Sequence, residues 1–184
     1  GATEADDAAV LGIARAAADE RRRRGAGAGF VPHVVTTAVE HDAVLAPARR
    51  LEKEGFRVTR LSPSRPGFVD SAALAEALCA DTVEVGSVQP VAALARAAHE
   101  AGALFHTDAV QALGKVPLDL AAAGVDAASL SAHKVGGPKG VGALYLRSRT
   151  PFEAHLIGGG QEGGMRSGTQ NVAGAAGGAA AVHA

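Results

Sequence analysis

The chain has 184 residues, a formal net charge of −1 and a single cysteine, Cys79. This length allows one domain with a hydrophobic core, and the near-neutral charge argues against a nucleic-acid-binding protein, which usually has a basic excess. A lone cysteine excludes an internal disulfide bond and a structural zinc site built on cysteines.

The predicted elements alternate between helices and short strands along the chain. The first helix is predicted from Thr3, as its N-cap, to about Arg21, with Asp6 and Asp7 in its first turn. After a glycine-rich loop, the apolar patterns predict in order a strand, a helix, a strand and a helix, at 33–37, 42–54, 56–61 and 71–79. They then predict a helix, a strand, a helical turn and two strands, at 91–101, 103–107, 118–123, 125–130 and 142–146.

This alternation predicts an α/β fold, an open and mostly parallel sheet with helices on both faces. A polar loop over residues 131–134 and a glycine-rich loop over residues 158–168 complete the pattern. Ligands bind at the carboxyl ends of the strands in such sheets. His41, Asp108 and Lys134 fall at these ends.

Two of these residues suit an aldehyde cofactor. Lys134 follows a strand among small and hydroxyl residues, where a lysine can form a Schiff base, although most lysines are only solvated. Asp108 ends a strand and could hold a pyridinium nitrogen, or it could simply cap a helix.

Two further features suit the same kind of ligand. Backbone N–H groups and the Thr3 hydroxyl at the start of the first helix could bind phosphate, with a plain helix cap as the alternative. His41 could stack on a ring or carry a proton, or it could be an ordinary solvated or core histidine.

Taken together, six segments resemble one family. They are residues 1–6 (GATEAD), 39–41 (VEH), 105–111 (FHTDAVQ), 131–142 (SAHKVGGPKGVG), 158–162 (GGGQE) and 166–169 (RSGT). In this order they resemble the large, cofactor-binding domain of the cysteine desulfurases. These are pyridoxal-phosphate enzymes of the class V aminotransferase family, with the aspartate-aminotransferase-like fold type I.

The resemblance implies a role for each matching residue. Lys134 would form the Schiff base with pyridoxal 5'-phosphate and move the α-proton of the substrate, and His41 would stack on the ring and assist proton transfer. Asp108 would pair with the pyridine nitrogen, and Gln111 would hydrogen-bond the phenolic oxygen. The phosphate would be held by Ala2, Thr3, Ser131 and His133 and, across a homodimer interface, by Thr169.

The implied reaction converts L-cysteine to L-alanine and passes the sulfur to a persulfide. The family supplies iron–sulfur cluster assembly and tRNA thiolation, so the resemblance implies a sulfur-acceptor or scaffold protein as a partner. The histidine spacing matches no zinc motif, and no metal site is predicted. No apolar run approaches the roughly 20 residues that span a bilayer and no signal peptide is recognised, so we expect a cytoplasmic protein that binds neither membrane nor nucleic acid directly.

The sequence also departs from the family. Family members begin before Gly1, and their catalytic cysteine lies on a loop beyond residue 184, so Cys79 does not replace it. The family strand and Asn-Asn-Glu turn before the Gly-x-x-Gln-Pro motif are reduced here to Glu84. We therefore expect residues 1–184 to be a partial large domain, lacking the N-terminal arm and the C-terminal small domain and inactive alone.

The sequence leaves two alternatives open and disfavours a third. A selenocysteine lyase or another class V enzyme would use the same scaffold, and a degenerate, non-catalytic homologue would explain the missing strand and cysteine. An unrelated phosphate- or nucleotide-binding α/β domain is disfavoured, because the glycine-rich loops match neither the P-loop nor the dinucleotide-binding motif.

Overall fold

The computed structural model describes residues 1–63, 68–69, 73–74 and 89–184. The predictions for Cys79 and for the segment around Glu84 lie outside the described residues. Of the helix predicted over 71–79, only residues 73 and 74 are described, and both are helical. Within the described part of the chain, no helix is both long enough and apolar enough to cross a bilayer.

Helices and strands alternate as predicted. In chain order they are α1 (Ala2–Arg23), β1 (His33–Thr37), α2 (Asp42–Lys53), β2 (Arg57–Leu61), α3 (Val91–Glu100), β3 (His106–Asp108), α4 (Leu120–Ala123), β4 (Ala127–Ser131), β5 (Gly142–Leu146) and α5 (Val172–His183). Short 3₁₀ helices cover Ala132–Val135 and Glu162–Gly164.

The described strands form two sheets, β1–β2 and β3–β4–β5, and their pairing is mostly parallel, as predicted. β1 pairs with β2 in parallel, in a register that sets His33 opposite Arg57 and Thr37 opposite Leu61. β3 pairs with β4 in parallel, with Asp108 opposite Ser129, and β5 runs antiparallel to β4. The carboxyl ends of β3 and β4 therefore lie at one edge.

Two predictions about local structure were wrong. Thr3 is not the N-cap of α1, because the helix begins at Ala2, Gly1 occupies the cap position and no side chain caps the helix. The segment predicted as a polar loop after β4 is the 3₁₀ helix Ala132–Val135. α1 also extends two residues beyond the predicted end, to Arg23. The positive charges of the arginines in its last turn interact favourably with the negative C-terminal end of the helix dipole.

Small side chains let α1 lie close to the sheet. Ala9 of α1 packs with Ala127 of β4, and both are fully buried. On its other side α1 contacts α2, where Leu11 packs in a cluster with Leu51. A separate core cluster, centred on Leu94, Phe105 and Val125, includes residues of α3 and of the segments before β3 and β4. These small side chains thus let α1 pack closely against β4.

Asp126 anchors the entry to β4. Its carboxylate accepts hydrogen bonds from the Phe105 backbone N–H at 2.8 Å and from His99 Nε2 at 2.7 Å, and the side chain is 8% exposed. Arg147 approaches the other carboxylate oxygen only to 3.5 Å and is half exposed.

We expect Asp126→Ala to lower the free energy of unfolding by about 3 kcal/mol, because it leaves the buried Phe105 N–H without an acceptor. Urea unfolding of the two proteins measures the difference. Arg147→Ala is the matched control, with an expected loss under about 1 kcal/mol for an exposed ion pair. Equal losses in the two variants would contradict this account of Asp126.

Candidate active site

The candidate site forms where β3 and β4 end beneath the first turn of α1. Asp108 is the last residue of β3, and Ser131 is the last residue of β4. Val39 and Leu61, at the ends of β1 and β2, pack against the core cluster that contains Ala109. Residues that follow both parallel pairs therefore contribute to one core cluster.

The first turn of α1 lies against β5 at Gly142. A Cβ atom at residue 142 would lie 2.7 Å from the Gly1 carbonyl carbon and 2.8 Å from the Leu130 oxygen, so a side chain there would push α1 away. Gly142 pairs with Ser131 across the sheet, which sets the start of α1 beside the end of β4. The first intrahelical bond runs from Ala5 N–H to the Gly1 oxygen, so the N–H groups of residues 2–4 have no partner within the helix. Such a turn attracts anions.

The lysine predicted to react lies in the turn that follows. Ser131 is buried, and its hydroxyl hydrogen-bonds His133 Nδ1 at 2.7 Å. The 3₁₀ helix ends at Gly136, whose φ of 83° favours glycine. Lys134 is exposed, and its ammonium makes no hydrogen bond or ion pair with the residues that the structure describes. The amine of Lys134 is therefore exposed at this turn and takes part in no polar contact with the described residues.

His41 occupies the N-cap of α2 rather than the core. Its Nδ1 accepts the Ala43 N–H at 3.0 Å, which leaves the proton of a neutral ring on Nε2. The turn before it is held by a buried hydrogen bond from the Thr37 hydroxyl to Glu40 at 2.9 Å. The ring of His41 is exposed at the sheet edge, so the core alternative is wrong.

Asp108 closes a turn at the end of β3. Its Oδ1 accepts the Val110 N–H at 2.9 Å, and the next residue, Ala109, donates to the Ser129 oxygen. Because Asp108 lies opposite Ser129 in the register, both side chains leave the same face of the sheet. A carboxylate held in this way suits a cationic ring nitrogen.

Behind Asp108 lies a polar group that sequence reasoning missed. Asp6 is 1% exposed, and its Oδ1 lies 3.7 Å from His106 Nε2, which in turn lies 2.9 Å from the Ser129 hydroxyl. The pKa of Asp6 is raised to about 7: burial is the largest cause, the charge of Asp108 acts in the same direction, and a hydrogen bond from the Ser129 hydroxyl acts in the opposite direction. Burial also lowers the pKa of His106 to about 4. The available signal was the spacing of Asp6 with Ala5, Ala9 and Ile13 on the buried face of α1.

The remaining predicted residues lie on exposed segments. Gln111 follows β3 in a turn, and its oxygen accepts a hydrogen bond from Lys115. Thr169 is exposed just after the glycine-rich loop, which Arg166 ties to Glu4 of α1 at 2.7 Å. The roles of Gln111 and Thr169 stay predictions.

A groove of about 380 Å³ opens between the first turns of α1, β5 and the glycine-rich loop. Its lining includes Glu4, Leu144, Phe152 and Arg166. The groove shares Gly1 and Gly142 with the candidate site, but Lys134, Asp108 and His41 do not line it.

The residues fit pyridoxal phosphate as a set. The open first turn of α1 beside Ser131 suits a phosphate, the exposed Lys134 suits an aldehyde, and Asp108 suits a protonated ring nitrogen. In the described part of the chain, no three His, Cys, Asp or Glu side chains gather so as to hold a metal ion.

Comparison with known proteins gives one consistent result. The family model Aminotransferase class-V matches residues 1–184. The cysteine desulfurase IscS of Anaeromyxobacter dehalogenans (strain 2CP-C) is 48% identical over 188 residues, and the match covers 96% of this chain and 44% of that protein. The cysteine desulfurase IscS of Pectobacterium atrosepticum is 44% identical over 183 residues, covering 94% and 43%. The chain thus spans less than half the length of these relatives.

Solved structures give the same picture. SspA in complex with cysteine superimposes with a TM-score of 0.87 at 34% identity, covering 100% of this chain and 53% of that one. DndA from Streptomyces lividans superimposes with a TM-score of 0.84 at 37% identity, again covering 100% and 53%.

Proposed function

Because the chain belongs to the class V aminotransferase family, we propose that it is the cofactor-binding part of a pyridoxal-phosphate-dependent cysteine desulfurase. One observation carries the proposal: Asp108, Lys134 and the open first turn of α1 all belong to one edge of the β3–β4 pair. Relatives named cysteine desulfurase, at 48% and 44% identity, support the choice of reaction.

The chain's own residues would hold the cofactor as follows. The N–H groups at Ala2 and Thr3, with Ser131 and His133, would bind the phosphate, and Lys134 would bond the aldehyde carbon. Asp108 would hold the ring nitrogen, Gln111 the phenolic oxygen, and His41 would stack on the ring. When bound, pyridoxal phosphate supplies an electron sink that stabilises negative charge on the substrate α-carbon.

Proton movement would fall to Lys134 and His41. The Lys134 amine would take the α-proton of L-cysteine and return a proton to the product. It can do so because it makes no hydrogen bond or ion pair with the described residues. His41 would assist through Nε2, since Nδ1 accepts the Ala43 N–H. Breaking the carbon–sulfur bond leaves L-alanine, and the sulfur passes to a cysteine thiolate as a persulfide.

We do not assign Cys79 as that thiolate. The relatives are more than twice as long as the matched segment, and the family resemblance places the sulfur-accepting cysteine on a loop outside residues 1–184. We propose that the protein works as a homodimer in the cytoplasm, with Thr169 reaching the partner's phosphate site. The sulfur would go on to an acceptor or scaffold protein for iron–sulfur cluster assembly or tRNA thiolation.

The proposal is tested with the purified full-length protein, pyridoxal phosphate and L-cysteine. We expect L-alanine and sulfide in equal amounts under reducing conditions, both measured over time. A strong preference for L-selenocysteine over L-cysteine would instead indicate a selenocysteine lyase. Failure to bind pyridoxal phosphate would identify a degenerate homologue.

A further inference from the structure

A second carboxyl group lies buried behind Asp108. Asp6 is 1% exposed, and neither of its oxygens has a well-oriented hydrogen-bond partner among the described residues. Its nearest basic neighbour is His106 Nε2, at 3.7 Å. A buried carboxyl group with so little support is costly, so its retention calls for an explanation.

The sheet register places Asp6 and Asp108 in one cluster. His106 and Asp108 are two residues apart on β3, so their side chains leave the same face, and Ser129 of β4 is opposite Asp108. Asp6 contacts this face from α1, and the Asp108 charge acts directly on it. Asp6 therefore lies on the same face of the sheet as the predicted ring-nitrogen partner, against His106, and it senses the charge of that partner.

The groups around Asp6 are few. β3 contributes His106 and Asp108, and β4 contributes the Ser129 hydroxyl. β5 packs against α1 with apolar residues such as Leu144, and α2 meets α1 further along, where Arg15 pairs with Glu54. Among the described residues, the only charge that acts strongly on Asp6 is that of Asp108.

A buried carboxyl group on which a second carboxylate acts does not ionise readily. Burial and Asp108 raise the pKa of Asp6 to about 7, and the neighbouring His106 is neutral because burial lowers its pKa to about 4. In the free protein at neutral pH, Asp6 therefore keeps part of its proton. A positive charge arriving at Asp108 favours loss of that proton.

We propose that Asp6 is a positioning residue that acts through Asp108: it releases its proton when a cationic ring nitrogen binds there, and its charge then helps to hold that cation. The inference rests on the proposed function, because it takes the protonated ring of pyridoxal phosphate as the cation. The released proton goes to solvent, and no bond other than the O–H of Asp6 is broken.

The test counts protons during cofactor binding. Calorimetric titration of the free protein with pyridoxal phosphate, in buffers of different ionisation enthalpy, gives the protons exchanged. Relative to Asp6→Asn, the wild-type protein should release a measurable fraction of a proton more at pH 7 and almost none at pH 9, where Asp6 is already ionised. Proton uptake by the ring itself is common to both proteins and cancels in the difference.

Asp7→Asn is the matched control, because Asp7 is the next residue on α1 and pairs with His155 at 2.9 Å outside the cluster. It should match the wild type. Equal proton counts in Asp6→Asn and the wild type, with tight cofactor binding in both, would overturn the inference and leave the proposed function intact. No cofactor binding by the wild type would overturn both.

A second measurement does not depend on the fold of the variant. In carboxyl ¹³C NMR of wild-type protein labelled at aspartate, one carboxyl should titrate near pH 7 in the free protein. In the cofactor-bound protein that titration should shift to lower pH by at least about one unit. An unchanged titration on cofactor binding would contradict proton release from Asp6.

Discussion

Lys134→Ala should abolish covalent attachment of pyridoxal phosphate and lower kcat for alanine formation by about 10⁴-fold. The variant loses both the amine that bonds the aldehyde and the base that moves the α-proton. The fold should survive, since Lys134 is exposed and makes no hydrogen bond or ion pair with the described residues. Borohydride reduction followed by mass spectrometry measures attachment, and the visible spectrum and an alanine assay complete the comparison.

Lys139→Ala is the matched control for this change. Lys139 is also exposed and lies five residues after Lys134, in the segment between β4 and β5. We expect its attachment and kcat to stay within about twofold of the wild type, because it lies outside the predicted site. Retention of the covalent bond in Lys134→Ala, or its loss in Lys139→Ala, would refute the assignment of Lys134.

Much of the fold could be predicted because local pattern and tertiary environment agree. The run HVVTT is β-branched and becomes β1, with Val35, Thr36 and Thr37 buried. The site positions follow from the same reasoning, since parallel strands bring their carboxyl ends to one edge and Asp108 and Ser131 end their strands there. These conclusions need only the order and direction of the elements.

Other features depend on contacts distant in sequence. The N-cap prediction for Thr3 failed because Gly1 and Ala2 are held at the start of α1 by their close approach to Gly142, about 140 residues away. The preference of Ser and Thr for the N-cap position depends on neighbouring residues only, so it cannot predict a position fixed by packing against a distant segment. Asp6 was predicted as an ordinary acidic residue of the first turn, since its burial against His106 appears only when α1 meets β3.

The same contact explains why the site needs α1 and the sheet together. α1 brings its open first turn to Ser131 and its buried Asp6 to the back of Asp108, over little more than one helical turn. A displacement of α1 would therefore alter the phosphate end and the ring-nitrogen end of the site at once. Gly142 fixes that position because no other residue leaves room for the helix.

Asp108→Asn should lower kcat by about 10³-fold while leaving the fold intact. The asparagine oxygen can still accept the Val110 N–H that closes the turn after β3, a bond of 2.9 Å in the wild type. The neutral amide cannot stabilise a protonated ring nitrogen as a carboxylate does, and loss of a partly buried charge partner costs about 4 kcal/mol. The ring then withdraws electrons less strongly, which slows loss of the α-proton more than it weakens binding.

Alanine formation, the visible spectrum and the urea unfolding midpoint separate the effect on catalysis from the effect on stability.

Asp119→Asn is the matched control. Asp119 also accepts a backbone N–H, from Ala122 at 2.8 Å, but it does so at the exposed cap of α4. It should keep kcat within about twofold, since an asparagine caps a helix as well as an aspartate. If Asp108→Asn kept kcat within tenfold of the wild type, or if Asp119→Asn fell as far, the ring-nitrogen role of Asp108 would be wrong. If kcat fell together with the unfolding midpoint, the carboxylate would act by holding the turn after β3, and the amide oxygen of the variant would not have replaced it.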